Sequence, residues 1–191
     1  MNELAQNIRN RLDKPLVMVG LMGAGKTKMG SLLAKELGLP FVDADQEIES
    51  IAGCSVADIF ETHGEPAFRD LERKVLARLL SEELKIIAPG GGAVMHDETA
   101  ALVWEKSISI WLKADLDVLV ERTSRNNKRP LLRKGNPRGI LAGLMEKRHP
   151  VYRKATLTVE TDSSEIDHTL QKLMKSLDAH LFSCRPDRSE V

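Results

Sequence analysis

A short apolar run at residues 16–20 passes directly into the glycine-rich octapeptide GLMGAGKT, which spans residues 20–27. The octapeptide matches the pattern G-x-x-x-x-G-K-[ST], in which glycines let a loop curl until successive backbone N–H groups converge on a phosphate. Residues 29–37 have the apolar periodicity of a helix, and Gly38 follows where a helix would end. The order strand, phosphate-binding loop, helix therefore predicts an α/β fold with a nucleoside triphosphate site at the helix N-terminus.

Short apolar runs alternate with helical segments along the rest of the chain. They predict five strands, at residues 16–20, 40–45, 85–90, 107–112 and 157–161. Such alternation is typical of a mostly parallel sheet covered by helices on both faces. A chain of 191 residues is long enough for one such domain. We predict a single domain over residues 1–191, with its core at about 15–180 and an unstructured tail at 183–191.

Charge and cysteine content exclude several classes of partner. The chain has 28 basic and 28 acidic residues, so its formal net charge of zero does not favour nucleic acid or an anionic membrane. Cys54 and Cys184 are far apart and lack metal-ligand spacing, which suits a reducing compartment. Residues 1–14 lack the apolar centre of a signal peptide, and no run is long enough to span a bilayer. We expect a cytoplasmic monomer.

One polar segment interrupts the alternation of strands and helices. The sequence RNNKRPLLRKGNPRG, residues 125–139, contains two prolines, two glycines and six basic residues without any acid. It predicts a mobile lid at about residues 123–138, although most of its cations fit a solvated basic loop equally well. It contains no aromatic side chain for stacking on a base, so a nucleic-acid contact is not favoured.

The other segments decide between the classes of protein that carry such a loop. A GTP-binding switch needs Asn-Lys-x-Asp to bind guanine, but the only Asn-Lys pair, Asn127-Lys128, continues with Arg-Pro. An ATPase motor usually has an aspartate at the end of an apolar strand, whereas the third strand ends in IIAPGGG. These observations favour a compact phosphotransferase with its acceptor site beside the terminal phosphate.

The second strand, PFVDAD at residues 40–45, ends in two carboxylates. If both Asp43 and Asp45 belong to a strand, they point to the same side, toward the crevice beyond the carboxyl ends of the strands. One carboxylate could hold the water shell of Mg²⁺ while the other accepts a proton from an acceptor hydroxyl. Alternatively, Asp45 is the N-cap of the helix predicted for QEIESIAG.

Six segments, taken in their order along the chain, resemble the shikimate kinase family. They are GLMGAGKT, VDAD, FRDLE at 68–72, PGGGAV at 89–94, KRPLL at 128–132 and MEKRHPVY at 145–152. The resemblance implies a P-loop NTPase of the nucleoside monophosphate kinase-like type, with a five-stranded parallel sheet, helices on both faces and a lid. It also implies Mg²⁺-dependent transfer of the ATP γ-phosphate to the 3-hydroxyl of shikimate, on the route to chorismate and the aromatic amino acids.

The same resemblance implies roles for individual residues. Catalytic roles are implied for Asp45, Lys26 and Arg129. Nucleotide contacts are implied for Gly23, Ala24, Gly25, Lys26, Thr27, Lys28 and Arg129. Shikimate contacts are implied for Asp45, Arg69, Gly90, Gly91, Gly92 and Arg148, and metal contacts for Thr27 and Asp43. Lys28 departs from the family pattern, because it stands where a second hydroxyl residue is usual.

Alternatives remain for both arginines of the predicted acceptor site and for the function. Arg69 has the spacing to pair with Glu65 or Glu72 as an ordinary helix-surface arginine. Arg148 fits a cation at the C-terminus of a helix that Pro150 breaks. The functional alternatives are a kinase of another small hydroxy acid, such as gluconate, and a non-catalytic nucleotide-binding module.

Overall fold

The computed structural model describes residues 3–124, 136–162 and 166–183, which build a five-stranded sheet with helices packed on it. The strands are β1 (Leu16–Val19), β2 (Phe41–Asp43), β3 (Ile86–Ala88), β4 (Ile108–Ala114) and β5 (Leu157–Thr161). Their spatial order is β2-β3-β1-β4-β5, and every neighbouring pair is parallel. The predicted fold class is confirmed, although β2 and β3 are shorter than predicted and β4 extends two residues further.

Eight helices connect the strands in the described part of the chain. They are α1 (Glu3–Arg11), α2 (Lys26–Leu37), α3 (Ala44–Ala52), α4 (Val56–Ser81), α5 (Asp97–Lys106), α6 (Leu116–Ser124), α7 (Pro137–Tyr152) and α8 (Ile166–Ser183). A 3₁₀ turn, Ala93–Met95, lies between β3 and α5. None of these helices is both long enough and apolar enough to cross a membrane.

The central strands are buried along their whole length. All four residues of β1 and all three of β3 are buried, because a parallel strand in the middle of such a sheet is covered on both faces. Helices α1, α2 and α8 contact one another, while α4 contacts α3 and α5. Ligands of an α/β sheet bind at the loops that follow the carboxyl ends of its strands. Here those loops start from buried strands, which fix their positions.

The end of β2 differs from the predicted strand. The strand stops at Asp43, and α3 begins at Ala44, so Asp45 lies in the first turn of a helix. The Asp43 carboxylate accepts hydrogen bonds from the backbone N–H groups of Asp45 (3.2 Å) and Gln46 (3.5 Å). Asp43 is thus the N-cap that was predicted for Asp45, and the predicted arrangement of the two carboxylates on one strand was wrong.

Helix α7 differs from prediction at both of its ends. It continues through Pro150 to Tyr152, and the backbone N–H of Arg153 donates to the carbonyl of His149 (3.0 Å) beyond the proline. The predicted break at Pro150 was therefore wrong. At the other end, the Asn136 side chain accepts from the backbone N–H of Arg138 (3.1 Å), so residues 136–138 begin a helix. Arg129 and residues 125–135 of the predicted lid lie outside the described residues.

Helix α4 contains one sharp bend. Gly64 has φ 78° and ψ 171° inside it, a backbone conformation that glycine adopts readily because it lacks a β-carbon. Pro66 lies in the first turn of the segment that resumes after this bend, where proline is tolerated. This second segment carries Arg69 and Glu72 toward the carboxyl end of the sheet.

Candidate active site

The glycine-rich loop curls as its sequence predicts. Gly23 and Gly25 have φ values of 84° and 97°, which other residues rarely adopt. The backbone N–H of Ala24 donates to the carbonyl of Leu21 (3.2 Å). Lys26 begins α2, and its ammonium group donates to the carbonyl oxygens of Gly20 (2.9 Å) and Leu21 (3.3 Å). A cation and a helix N-terminus therefore converge on one loop, as phosphate binding requires.

Thr27 and Asp43 place two oxygen ligands beside the loop. The Thr27 hydroxyl donates to Asp43 Oδ2 (3.0 Å), while the other Asp43 oxygen caps α3. Mg²⁺ prefers oxygen ligands, keeps several waters and takes few protein carboxylates. A site of one hydroxyl and one carboxylate fits such an ion. Within residues 3–124, 136–162 and 166–183, no group of three or more histidine, cysteine or acidic residues could hold a metal by itself.

Asp45 lies at the centre of the charged groups of the site. Burial raises its pKa above the usual aspartate value, and the negative charges of Asp43 and Glu49 raise it further. The positive charges of Lys26 and Arg69 act in the opposite direction. A carboxylate whose affinity for a proton is increased, next to a phosphate-binding lysine, has the properties of a general base.

The glycine turn after β3 leaves space against the acidic and basic side chains of the site. A β-carbon at Gly90 would lie 3.0 Å from Asp45 Oδ1 and 3.2 Å from Glu72 Oε1. A β-carbon at Gly92 would lie 3.0 Å from an amino nitrogen of Arg69. The two carboxyl groups and the guanidinium therefore face the turn at contact distance, and side chains at these positions would close the gap.

Arg69 is held from two sides on α4. Its guanidinium donates to Glu72 Oε2 (2.8 Å) and to Glu65 Oε1 (3.1 and 3.2 Å), so both predicted surface pairings are present. The same guanidinium lies 5.1 Å from the ring centre of Phe68 and 5.9 Å from that of Phe60. These contacts leave it at the Gly92 turn with a fixed orientation, and pairing and ligand binding are compatible.

Glu72 is a site residue that was not singled out in the sequence. Its side chain is 1% exposed, and its Oε1 atom has no hydrogen-bond partner among the described residues. Burial raises the pKa of Glu72, although its hydrogen bond from Arg69 opposes the rise. The available signal was its position: Glu72 falls on the apolar face of α4 defined by Phe68, Val75 and Leu79, where a glutamate needs a partner.

Gly91 lies where the glycine turn after β3 approaches the phosphate-binding loop. A β-carbon there would lie 3.3 Å from the Gly20 carbonyl oxygen, 3.4 Å from Arg148 Nη1 and 3.8 Å from Lys26 Nζ. Arg148 is half-buried on α7, one turn before the end of the helix. It therefore lies at the glycine turn, close to the phosphate-binding loop, rather than acting only as a cation at a helix end.

A cavity of about 230 Å³ adjoins the other side of the loop. Gly25, Lys28, Arg122 and Ile166 line it, and none of the described residues that line it is acidic. Arg122 of α6 donates to the Ala24 carbonyl oxygen (3.5 Å) and to Thr161 Oγ1 (3.3 Å), so its planar group is fixed at the cavity wall. Arg122 was not singled out in the sequence, where it looks like any arginine near a helix end.

The structure thus brings together every predicted site residue that it describes. Those at the phosphate-binding loop are Gly23, Ala24, Gly25, Lys26, Thr27 and Lys28, with Asp43 beside them. Those at the glycine turn after β3 are Asp45, Arg69, Gly90, Gly91, Gly92 and Arg148. Arg129 is the one predicted residue outside the described part of the chain.

Fold and site together define a small P-loop kinase, in which a glycine turn faced by carboxylate and arginine side chains lies next to a phosphate-binding loop on a parallel sheet. A protein-family model described as shikimate kinase matches residues 22–178. A shikimate kinase from Brucella canis is 48% identical over 182 residues, which cover 95% of this chain and 91% of the relative. The chain belongs to the shikimate kinase family. It is accordingly an ATP-dependent kinase.

Solved structures give the same result. The shikimate kinase from Acinetobacter baumannii, solved in complex with shikimate, superimposes with a TM-score of 0.80 at 37% identity, covering 85% of this chain and 91% of that one. A gluconokinase from Sinorhizobium meliloti, at 15% identity and a TM-score of 0.59, shares the fold alone; the match covers 89% of this chain and 94% of that one. The alternative of a gluconate kinase is therefore not favoured.

Proposed function

We propose that this chain transfers the γ-phosphate of ATP to the 3-hydroxyl of shikimate, giving shikimate 3-phosphate and ADP on the route to chorismate. The observation that carries the proposal is the junction at Gly91, where Lys26 of the phosphate-binding loop and Arg148 of the acceptor pocket approach the same point. A donor phosphate and an acceptor carboxylate bound by these two cations would lie in one continuous pocket, on either side of Asp45.

The nucleotide half takes ATP through the loop and the adjoining cavity. The backbone N–H groups of Gly23 and Gly25 would face the phosphates, and the Lys26 ammonium would leave its loop carbonyls to neutralise them. Lys28 lines the 230 Å³ cavity and adds a second cation on the nucleoside side. The fixed guanidinium of Arg122 and the apolar Ile166 suit a flat purine ring in the same cavity.

The metal half of the proposal assigns Mg²⁺ to Thr27 and Asp43. Their oxygens are 3.0 Å apart and lie where the phosphates end. Thr27 and Asp43 would hold the ion, which would reduce the negative charge on the phosphate oxygens. Asp43 also caps α3, so its orientation is fixed by the same helix that carries Asp45.

The acceptor half holds a small hydroxy acid by its carboxylate and its hydroxyls. Arg69 and Arg148 approach the glycine turn from α4 and α7, and two planar guanidinium groups suit one carboxylate better than lysines would. The glycines at positions 90–92 let the ring of the acceptor approach the backbone closely. Asp45, which faces Gly90, is then within reach of the acceptor hydroxyls.

The transfer itself requires one bond to form and one to break. The 3-hydroxyl oxygen forms the new P–O bond while the bond from the γ-phosphorus to the oxygen bridging it to the β-phosphate breaks, and ADP leaves. The hydroxyl proton moves to Asp45, whose pKa is raised by burial. Lys26 stabilises the charge on the phosphoryl group. Arg129 of the predicted lid is proposed to add a second cation to that group and to exclude water when the lid closes.

A coupled assay of ADP release tests the proposal. ADP formation must depend on shikimate, on ATP and on Mg²⁺, and the product must carry the phosphate on the 3-hydroxyl in a phosphorus NMR spectrum. Arg148→Ala should raise the KM for shikimate by at least about tenfold, since a hydrogen bond to a charged group contributes about 1.5–3 kcal/mol. Absence of shikimate-dependent ADP release would refute the proposal.

A panel of acceptors separates the remaining candidates. Turnover of gluconate but not of shikimate would favour the hydroxy-acid alternative, and tight ATP binding without turnover of any acceptor would favour a non-catalytic module. The position of Asp45 argues against such a module, because ATP binding alone needs no carboxylate at an acceptor hydroxyl. A cytoplasmic location and a monomeric state stay predictions from the sequence.

A further inference from the structure

We propose that Tyr152 is a positioning residue whose phenol group joins the glycine turn to Arg148 and so sets the geometry of the acceptor pocket. This proposal rests on the function proposed above. Tyr152 is fully buried in the last turn of α7. Its hydroxyl donates a hydrogen bond to the carbonyl oxygen of Gly91, a residue 61 positions earlier in the chain. The bond therefore links two elements that meet only in the folded protein.

The Gly91 carbonyl, which accepts the hydrogen bond from Tyr152, lies where the glycine turn approaches the phosphate-binding loop. The Gly91 backbone adjoins Gly20 of the phosphate-binding loop, Lys26 Nζ and Arg148 Nη1. A shift of Gly91 would change the separation between the donor phosphate and the acceptor carboxylate. Because phosphoryl transfer depends on alignment of the reacting groups, a restraint at this point bears directly on acceptor binding.

The same phenol and Arg148 both adjoin Gly91. The phenol donates to the Gly91 carbonyl oxygen, and Arg148 Nη1 lies 3.4 Å from the position of a β-carbon there. Burial raises the pKa of Tyr152, and the positive charge of Arg148 opposes the rise. A phenol has one O–H donor and two acceptor lone pairs. With its O–H directed at Gly91, its lone pairs are left for the guanidinium, so the position of the turn and the orientation of Arg148 are linked.

The ring is fixed by other aromatic side chains, independently of these hydrogen bonds. The Tyr152 ring centre lies 6.1 Å from that of Trp111 on β4 and 6.5 Å from that of His149. Trp111 and His149 themselves pack edge to face at 4.9 Å. Replacement by phenylalanine should keep this packing and remove only the hydroxyl with its hydrogen bond to Gly91.

The test is Tyr152→Phe, assayed with shikimate and ATP. We expect the KM for shikimate to rise about tenfold, the value for a net loss of about 1.4 kcal/mol in hydrogen bonding. We expect kcat to fall less than about threefold and the Kd for ADP to stay within about twofold, because the phenol is hydrogen-bonded to the glycine turn and not to the phosphate-binding loop. The matched control is Ser107→Ala, which removes another buried hydroxyl, bound to the Val103 carbonyl far from the site; its KM should not change.

A second measurement needs no substitution. The chain has one tyrosine, so protein labelled with 3-fluorotyrosine gives a single ¹⁹F resonance, from position 152. We expect saturating shikimate to shift this resonance. If Tyr152→Phe does not fold, the presence or absence of the shift decides the question.

The outcomes separate this inference from the proposed function. If the wild type shows no shikimate-dependent ADP release, the proposed function fails. If the wild type turns over shikimate, but Tyr152→Phe keeps the wild-type KM or the ¹⁹F resonance does not move, Tyr152 has only a packing role and this inference is overturned.

Discussion

Two buried carboxyl groups, Asp45 and Glu72, dominate the chemistry of this protein at the scale of single residues. Burial raises the pKa of both, and the negative charge of Asp45 raises that of Glu72 further. Their surroundings nevertheless differ. Glu72 is paired with Arg69, whereas Asp45 faces the space in front of Gly90. The first therefore suits a role in holding an arginine, and the second suits a role in proton transfer.

The pH dependence of turnover tests the role of Asp45. A base must be deprotonated, so kcat/KM for shikimate should fall as the pH drops through the pKa of Asp45. Because burial raises that pKa, the decline should have its midpoint above the ordinary aspartate value of about 3.9. Asp45→Asn should lose at least about 100-fold in kcat, the lower end for general base catalysis, with the Kd for ADP within about twofold. Near-normal turnover would show that Asp45 is not the base.

Glu72→Gln tests whether Glu72 acts through Arg69. Glutamine keeps the shape but removes the charge that holds the guanidinium, so the KM for shikimate should rise about tenfold with a smaller change in kcat. The control is Glu65→Gln, which removes the other partner of Arg69. Glu65 is 59% exposed, and exposed ion pairs contribute about 0–1 kcal/mol, so its KM should stay within about fivefold. Equal effects of the two variants would contradict the assignment.

The glycine turn after β3 is the element on which the acceptor pocket depends. It connects a fully buried strand to α5, and its glycines face side chains from three helices, α3, α4 and α7. The turn itself contributes little chemistry. Its contribution is the absence of side chains at the point where Asp45, Arg69 and Arg148 converge.

Gly90→Ala tests this view of the turn. The added methyl group would lie 3.0 Å from Asp45 Oδ1 and 3.2 Å from Glu72 Oε1, closer than most real contacts of a β-carbon. We expect the KM for shikimate to rise at least about tenfold while ADP binding persists, since occupied space cannot admit an acceptor. The control is Gly143→Ala in α7, where the methyl group meets nothing within 4 Å. That variant should keep its KM and gain about 0.5–1 kcal/mol in unfolding free energy. An unchanged KM in Gly90→Ala would place the acceptor elsewhere.

At the scale of the whole molecule, the helix that closes the core at the amino terminus and the residues of the candidate site lie in different places. The amino-terminal helix α1 packs on α8 and α2, with Ala5, Ile8 and Leu12 buried, and Arg11 pairs with Asp178 of α8 (3.0 Å). None of the residues of the candidate site belongs to α1, and only Ile166 and Thr169 at the cavity wall belong to α8. We therefore expect α1 to contribute to folding rather than to turnover.

Ile8→Ala tests that expectation. Ile8 is 0% exposed, so the substitution should lower the unfolding free energy by about 2–5 kcal/mol, measured by urea denaturation. The KM values of the remaining folded enzyme should be unchanged. Ile51→Ala is the matched control, because Ile51 is 53% exposed and an exposed change should stay within about 0.5 kcal/mol. A large loss in both variants, or a raised KM in Ile8→Ala, would contradict this division.

Much of the fold was predictable because its signals are local. The five strands follow from apolar runs, and the phosphate-binding loop follows from the spacing of Gly20, Gly25, Lys26 and Thr27. The end of β2 was not predictable from the same signals. A strand and a helix compete for residues 43–45, and the competition is decided by the hydrogen bonds that Asp43 accepts from Asp45 and Gln46. Pro150 was misjudged in a similar way, since tertiary packing of α7 overrides a local preference.

Site residues were predictable where their type rarely occurs in that context for another reason. Examples are Lys26, which follows the glycines of the loop, and Asp43, which ends β2. Glu72 and Arg122 are not, because glutamates and arginines are common on helices and only burial or fixed hydrogen bonds distinguish these two. Tyr152 belongs with them: its partner, Gly91, is 61 residues away.

The amino-acid sequence alone determined the class of this protein, its order of elements and the identity of most chemical groups in the site, because these depend on short-range spacing. Only the tertiary structure decided which groups meet. Asp45 and Glu72 both face Gly90, Arg148 lies beside Gly91, and Tyr152 donates a hydrogen bond to the glycine turn. The physical reason is that parallel strands bring together residues far apart in the chain, and the distances between their side chains are set by the packing of α3, α4 and α7 around the carboxyl end of the sheet.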